Sequence, residues 1–283
     1  MAVTNFIPEL WSGALLAHLE KAHVVANLVN RNYEGEIKGY GDKVRITSLS
    51  DIDIKNYSVN GQIAAPDQLA TTYITLDINK EKYFNFYLDD VDAAQVRNNG
   101  GLMDEAMRKV AWGLADKIEM DILTELDTNG HSDNRLEAGE TLSKDNIFAE
   151  ILKIKTKMDT ENVPTMGRKL IVTPKLHALL IESGKLTGTG GTMAEEITRN
   201  GHVGHVLGFE VYMSNNIGQP LTNAKDAIAF VSDAITFAEQ VNEIEAYRPE
   251  MRFADAVKGL TVYGTKVTLP KAIVCLKDHV EAP

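Results

Sequence analysis

Three aspartates form the densest group of side chains in this sequence that could do chemistry. Asp89, Asp90 and Asp92 stand just ahead of a long stretch with an apolar stripe. Carboxylates at this spacing could hold a divalent cation or act as a catalytic acid–base pair. They could equally supply negative charge near the N-terminal end of a helix, where the helix dipole favours it. The structural role is the favoured interpretation, because no Ser/His/Asp or Cys/His motif accompanies them.

Two further motifs match known sites only in part. His202 and His205 supply two ligands, whereas a zinc site needs three or four. Ser183-Gly184-Lys185 suggests a phosphate-binding loop, but that motif requires a second glycine five residues earlier and Ser or Thr after the lysine. Leucines occupy both positions. We therefore expect a flexible loop here.

Residues 125–130 (ELDTNG) are similar to the first half of a calcium-binding loop. Such a loop begins with Asp and has Glu at its twelfth position. Here the first residue is Glu125 and the twelfth is Leu136, so a helix end followed by a turn fits better. The sequence thus predicts no catalytic residue, no metal and no cofactor, and the protein is not expected to be an enzyme.

Residues 98–127 predict one long helix around which the rest of the chain is organised. Apolar side chains recur there every three or four residues, which places them on one helix face; they are Met103, Met107, Val110, Leu114, Ile118 and Ile122. Polar side chains mostly fall on the remaining surface, namely Asp104, Lys109, Asp116, Lys117 and Glu119. A helix of about 25 residues is about 38 Å long. Its apolar face must lie on something, most simply a sheet.

Residues 33–88 predict a long two-stranded hairpin with a wide, turn-rich tip at residues 55–70. Apolar residues alternate with polar ones, as in half-buried strands: Val44 and Ile46, then Ile74, Leu76 and Ile78, then Phe84, Phe86 and Leu88. Residues 1–32 read as an arm with a short amphipathic face, followed by an apolar stretch at 24–29 that could be extended. Neither an arm nor an isolated hairpin is stable alone. We expect both to rest on neighbouring copies.

The remaining chain predicts short helices and strands. A helix capped by Ser143 buries four apolar residues, namely Ile147, Ile151, Ile154 and Met158. A strand is expected at 168–173, a helix from Pro174, and further strands at 208–214, 226–232, 259–269 and 271–277. Residues 131–142 read as a polar loop, and the Gly- and Thr-rich residues 184–208 as a mobile loop. Strands on both sides of the long helix imply a sheet built from distant parts of the chain.

Composition excludes several classes of protein. The net charge is -11 and no basic stripe is present, which argues against sequence-independent binding to nucleic acid. The single cysteine, Cys275, lies in an apolar segment and is expected to be a buried thiol in a reducing compartment. Neither a signal peptide nor a membrane span is predicted.

Several short motifs follow one another along nearly the whole chain: NFIPELWS at 5–12, NRNYEGEI at 30–37, GDKV at 41–44, DDVDAAQ at 89–95, FADAVKGL at 253–260 and VYG at 262–264. In order and spacing they resemble major capsid (head) proteins of tailed bacteriophages. The resemblance implies an α+β tailed-phage major capsid fold: an N-terminal arm, an extended β-hairpin loop, a peripheral domain with a long spine helix over a β-sheet, and an axial α+β domain. The corresponding ranges are 1–32, 33–88, 89–142 plus 236–268 with the spine helix at 101–127, and 143–235 plus 269–283.

The resemblance also implies a function. We expect a shell subunit that forms hexamers and pentamers around double-stranded DNA, located in the virion and assembled in the host cytoplasm. Expected partners are further copies of the chain, a separate scaffolding protein, the portal and decoration proteins. Some relatives form Lys–Asn cross-links from the hairpin. Lys55 is the available hairpin-tip lysine, but no partner is identifiable and no cross-link is predicted.

Two other functions stay open. A bacterial nanocompartment shell, similar to encapsulins, shares this fold but houses a cargo enzyme. A metal-dependent enzyme would use the three aspartates or the two histidines.

Overall fold

The computed structural model describes residues 24–34, 41–49, 56, 71–89, 99–184, 202–217, 221–251 and 253–277. These residues form mixed helices and sheets, which confirms the α+β class. The helices are α1 (Asn99–Asn129), α2 (Ile147–Thr160) and α3 (Pro174–Glu182). The strands are β1 (Lys43–Leu49), β2 (Thr71–Asp77), β3 (Lys80–Asp89), β4 (Arg135–Glu137), β5 (Arg168–Val172), β6 (His202–Val206), β7 (Phe209–Met213), β8 (Ala227–Val231), β9 (Ile235–Tyr247), β10 (Ala254–Val267) and β11 (Val274–Lys277). None of the described helices has the length and apolar character of a membrane span.

Helix α1 is the predicted long helix, and at 31 residues it extends two residues beyond the predicted 101–127 at each end. Its length is about 46 Å. The predicted stripe is confirmed from Met107 onwards, since Leu114, Ile118 and Ile122 are buried and Val110 is partly buried. The N-terminal half packs on one core with Val257. The C-terminal half packs into a larger, separate core, so α1 connects the two.

The first core lies between α1 and an antiparallel sheet with the strand order β3-β10-β9. Phe84 and Phe86 of β3 and Ile244 of β9 pack towards the helix. The assignment of β3 to the hairpin is wrong. The structure pairs β3 with β10 from Tyr263↔Lys80 to Ala254↔Asp89. A period of two identifies a strand but not its partner, so the alternation at residues 84–88 could not distinguish the hairpin from this sheet.

The predicted hairpin is present as the two-stranded sheet β1–β2, with the register Lys43↔Asp77 to Leu49↔Thr71. Its base packs through Val44, Leu76 and Ile78 on Ala238 and Val262 of the three-stranded sheet. Close approach depends on Gly264, where a Cβ atom would lie 2.5 Å from the backbone oxygen of Asp77. Residues 1–23 of the predicted arm (1–32) and most of the hairpin tip, with Lys55, lie outside the described residues.

A mixed six-stranded sheet with the order β4-β11-β8-β5-β7-β6 forms the second core together with α2, α3 and the end of α1. The four predicted inward residues of α2 are fully buried, which confirms that face. The N-cap of α2 is Asn146 and not the predicted Ser143. Ser143 lies in a turn before the helix, where its backbone amide donates a hydrogen bond to the Asn146 side chain. Helix α3 begins at Pro174 as predicted, capped by the Thr173 hydroxyl.

Three other local predictions are wrong. Strand β6 lies inside the predicted mobile loop. The sequence did not indicate a strand there because Gly204 and a register shift interrupt the alternation that marks a strand. Strand β4 lies inside the predicted polar loop and has only three residues. The segment predicted as extended is a 3-10 turn at Val25–Asn27. Elements this short are specified by tertiary contacts more than by local pattern.

Cys275 is buried in β11, as predicted from its apolar surroundings. Burial, and next the nearby Asp127, raises the pKa of the thiol from 9.0 to about 12. We expect iodoacetamide at pH 8 to leave Cys275 unmodified in the folded protein and to label it fully in denaturant, as measured by intact mass. An unfolded thiol ionises from about pH 9, so the contribution of this group to stability falls between pH 9 and about 12. Rapid labelling of the folded protein would contradict this placement.

Candidate assembly site

The structure describes only some of the residues that were considered for catalysis or metal binding. Asp89 ends β3, where its backbone pairs with Ala254, while Asp90 and Asp92 lie outside the described residues. His202 and His205 lie in β6 and pair with Tyr212 and Glu210 of β7. The described side chains include no group of three or more His, Cys, Asp or Glu that could hold a metal ion. Ser183 and Gly184 follow α3, with Gly184 at a φ of 66°, and the Ser183 hydroxyl donates to the Leu180 carbonyl.

Asp127, considered above as a calcium ligand, is instead an internal anchor. Its carboxylate accepts from the backbone amides of Thr222 at 3.0 Å, Asn223 at 2.9 Å and Ala224 at 2.6 Å. Charged acceptors of backbone N–H groups make strong hydrogen bonds. The end of α1 thereby fixes the loop that leads into β8. Sequence reasoning missed this role because the partners lie some 95 residues away.

Glu119 holds the root of the N-terminal arm. Its carboxylate accepts from the backbone amides of Val24 and, at 2.8 Å, of Val25. The prediction that Glu119 lies on the outer surface of α1 is wrong, since only 5% of the residue is exposed. A carboxylate buried on a helix is stable when it satisfies otherwise unpaired amides.

Three further contacts continue the attachment of residues 24–31. Lys169 Nζ donates to the Leu28 carbonyl at 2.6 Å and to Ser232 Oγ at 2.7 Å. Asn30 joins the start of β9 through a bridge to Thr236. Arg31 lies over the Phe237 ring. The arm therefore leaves from a fixed point at Val24, beside the middle of α1.

Replacing the arm-root acceptor tests this attachment. Glu119→Gln turns one carboxylate oxygen into an amide donor, so the Val24 and Val25 amides lose a charged acceptor. We expect their hydrogen exchange to become about tenfold faster, as measured by mass spectrometry on overlapping peptides. Glu125→Gln, on the same helix, is the matched control. Equal exchange in both variants would contradict the attachment.

Asp121 forms a third polar contact of α1, near the junction of its two apolar halves. The Tyr263 hydroxyl donates to its carboxylate, and Lys80 and Lys82 lie at 3.9 and 3.7 Å. Burial, and next the bond to Asp121, raises the pKa of Tyr263 far above its ordinary value. These groups fix the distance between α1 and the three-stranded sheet.

The sheet face opposite α1 carries exposed aromatic side chains. Phe84 and Phe86 face the helix, so the alternating Tyr83 and Tyr87 point away from it. Tyr83 is 81% exposed. Lys258 lies 5.1 Å from the Tyr247 ring and pairs with Glu245 on the same face. Exposed aromatic patches of this kind are typical of protein interfaces.

The turn between β9 and β10 adds apolar side chains at the end of this sheet. Met251 is 94% exposed and Phe253 is 85% exposed. Arg248 and Asp255 form an ion pair at 3.0 Å across the base of the turn. The ion pair therefore holds the base of the turn in place, and the turn exposes Met251 and Phe253. Sequence reasoning treated Phe253 as part of a motif and did not predict its exposure.

The fold of this chain is similar to that of solved phage structures. A solved structure from Mycobacterium phage Che8 is similar, with 30% identity, a TM-score of 0.69 and coverage of 90% of this chain and 91% of that chain. A structure titled as the capsid of cyanophage P-SCSP1u matches with 15% identity, a TM-score of 0.64 and coverage of 93% and 88%. The fold is that of phage capsid subunits.

The chain belongs to the phage capsid protein family, whose model matches residues 72–276. This confirms the resemblance on which the sequence-based prediction of a capsid structural protein rests. A virus-like particle from Pyrococcus furiosus shares the fold at 15% identity, with a TM-score of 0.56 and coverage of 94% of this chain and 96% of that chain. No curated protein matches the sequence.

Proposed function

We propose that this protein is the subunit of an icosahedral phage head, in which hexamers and pentamers enclose double-stranded DNA. The observation that carries the proposal is the likeness to the Che8 structure, at 30% identity over 90% of this chain. Members of the phage capsid protein family are structural proteins, so we propose no enzymatic activity. The protein would be located in the virion after assembly in the host cytoplasm.

The proposed contacts follow from the described surfaces. The arm, assigned to residues 1–32, would extend across a neighbour from its fixed root at residues 24–31. The hairpin would pass over the aromatic face of an adjacent copy, where Tyr83 is exposed. Residues 89–142 with 236–268 would form the peripheral domain, and 143–235 with 269–283 the axial domain. Strand β3, though part of the range 33–88, would belong with the peripheral sheet.

The net negative charge of the chain suits a shell around DNA. A net charge of -11 gives little affinity for phosphates, so packaged DNA would not be held at particular sites. A separate scaffolding protein and a portal would complete the assembly pathway, with decoration proteins as further partners.

A nanocompartment shell is the second candidate, supported by the shared fold of the Pyrococcus furiosus particle. The identity is 15%, half that of the Che8 structure, so the phage head is favoured. The two proposals differ in what the shell encloses.

Light scattering behind size-exclusion chromatography, with negative-stain imaging, tests assembly. Closed shells, or hexamers and pentamers that close when a scaffolding protein is added, would support the phage head. Small uniform shells formed without a scaffold would favour the nanocompartment. A monomer or dimer that never assembles would overturn both and direct attention back to the three aspartates.

The exposed turn provides a variant that separates assembly from folding. Phe253→Asp places a charge on an apolar contact, so we expect the concentration needed for assembly to rise at least about tenfold. Thermal unfolding of the subunit should be unchanged, because Phe253 is exposed. Phe253→Leu keeps an apolar group and should assemble normally. Assembly of the Asp variant at the original concentration would exclude this turn from the interface.

A further inference from the structure

The outer side of helix α1 carries a tryptophan that is largely exposed. Trp112 is 66% exposed, although its neighbour Ala111 is fully buried. The surface beside it is open, since a Cβ atom added to Gly113 would meet no described atom within 4 Å. Tryptophan is enriched among the residues that dominate binding at the centre of protein interfaces. The helix face around Trp112 is therefore a candidate contact with another molecule.

Lys109 and Asp116 flank Trp112 on the same face of α1, because residues three or four apart are neighbours on a helix surface. Lys109 stands about 4.5 Å before Trp112 along the helix axis, and Asp116 stands about 6 Å after it. Lys109 is exposed and Asp116 is partly exposed. In the described part of the chain neither side chain takes part in an ion pair, whereas Glu105, further along this face, pairs with Arg108. Both flanking charges are therefore available to a partner.

This face is complementary to itself when two helices run in opposite directions. Turning one copy by half a turn about an axis through Trp112 places the two indoles at the centre. Lys109 of each copy then lies opposite Asp116 of the other, to within about 1.5 Å along the axis. A parallel arrangement would instead place each of these charges opposite its own kind, and a shift of three residues would place Glu105 opposite Asp116. Because like charges that face each other are destabilising, the charge pattern selects one direction and one register.

We propose that the outer face of α1 binds the same face of a second copy of the chain, with the two helices antiparallel and a two-fold axis at Trp112. Such an isologous contact uses one surface twice. The open space beside Gly113 receives the indole of the other copy, and two equal ion pairs close the contact on either side. The proposal goes beyond the proposed function, since the contact links two copies whether or not they belong to a shell. It leaves Tyr83, on the other side of the three-stranded sheet, free for a different neighbour.

Exchanging the two charges tests the ionic part of the contact. Lys109→Asp and Asp116→Lys each remove both ion pairs, because the pair occurs twice across the two-fold axis. We expect either variant to raise the concentration needed for association at least about threefold, as measured by light scattering. The double variant restores both pairs with reversed sign and should associate like the wild type. A double variant as weak as the single variants would contradict the ionic part, and with it the proposed register.

Disulfide trapping tests the arrangement in the full chain, with Trp112 retained. The single variants Lys109→Cys and Asp116→Cys are expressed together and oxidised mildly, and mass spectrometry identifies linked tryptic peptides 109–117 and 110–117. We expect this link in the mixed sample and in neither variant alone. In the proposed arrangement each of the two positions lies about 9 Å or more along the axis from its own copy, which is beyond the reach of a disulfide.

Lys117→Cys in place of Asp116→Cys is the matched control. Lys117 is exposed but points about 140° away from Trp112 around the helix, so it should give no link to Lys109→Cys. The native Cys275 is 2% exposed and does not compete. Because the disulfide accumulates during oxidation, trapping detects the contact even when each encounter is brief.

The outcomes separate this contact from the proposed shell. The expected link supports the contact in shells and in dimers alike, and linked dimers that never close into shells would overturn only the phage head. Shells that form without the link would overturn the contact and leave the phage head standing. A link within the Lys109→Cys sample alone would indicate parallel packing and would also overturn the contact. Absence of both shells and link would overturn both proposals.

Discussion

Leu114→Asp is expected to abolish both stable folding of the subunit and its assembly into shells. Leu114 is buried on α1 in the core that contains Met107, Ala111 and Val257. A carboxylate placed there would lie among apolar side chains, and its burial would cost at least about 3 kcal/mol. That is a large part of the roughly 5–15 kcal/mol that stabilises a typical domain. Circular dichroism and chemical denaturation of the purified variant, with electron microscopy for shells, would measure both losses.

Thr124→Asp is the matched control for this variant. It adds the same charge to the same helix at an exposed position, where the side chain only bonds back to Met120. We expect its stability to change by less than about 1 kcal/mol. Shells of normal size from Leu114→Asp would show that the apolar stripe of α1 is not a core contact.

The stripe of α1 was predictable because its information is local. Residues three and four apart share a helix face whatever the helix packs on, so Ile118 and Ile122 could be placed inward without knowledge of their partners. The same holds for the inward face of α2. The phage capsid resemblance then supplied a sheet as the surface under the helix, and β3, β10 and β9 form that surface.

The polar anchors of α1 could not be predicted in this way. Glu119 and Asp121 occupy positions that helix periodicity treats as surface, yet each faces backbone or side-chain groups from distant segments. The sequence does not show whether a carboxylate accepts its hydrogen bonds from water or from buried amides. The strand partner of β3 could not be predicted for a related reason. Phe84 and Phe86 would alternate with their neighbours in the same way whether β3 belonged to the hairpin or to the three-stranded sheet.

The open surfaces of the structure are likewise a property of the fold. Tyr83 belongs to a strand whose pattern predicts burial on one side, and only the position of α1 shows which side is left exposed. Phe253 lies in the turn before β10, where the sequence pattern does not predict its exposure. If the proposed shell forms, apolar groups left exposed by a well-packed subunit are the expected contacts with other copies. The assembly surface is thus what remains after the subunit's own cores are satisfied.

Asp127→Ala should destabilise the subunit by about 3–5 kcal/mol, because three backbone amides lose their charged acceptor inside the protein. Asp127 is buried, and no other acceptor is described for the amides of Thr222, Asn223 and Ala224. Glu125→Ala, two residues earlier on α1, removes an equal charge and should change stability by less than about 1 kcal/mol. Urea denaturation followed by circular dichroism would compare them.

Adding calcium distinguishes the two roles considered for Asp127, which are a metal ligand and an internal anchor. If the carboxylate is an internal anchor, the unfolding free energy of the wild-type protein should be the same in EDTA and in millimolar calcium, because all its oxygens already accept from the loop before β8. The Asp127→Asn variant should fall between wild type and Ala, since one acceptor oxygen remains while the amide group opposes the other donors. Stabilisation by calcium in the wild type and its loss in Asp127→Asn would instead establish a metal site at the end of α1.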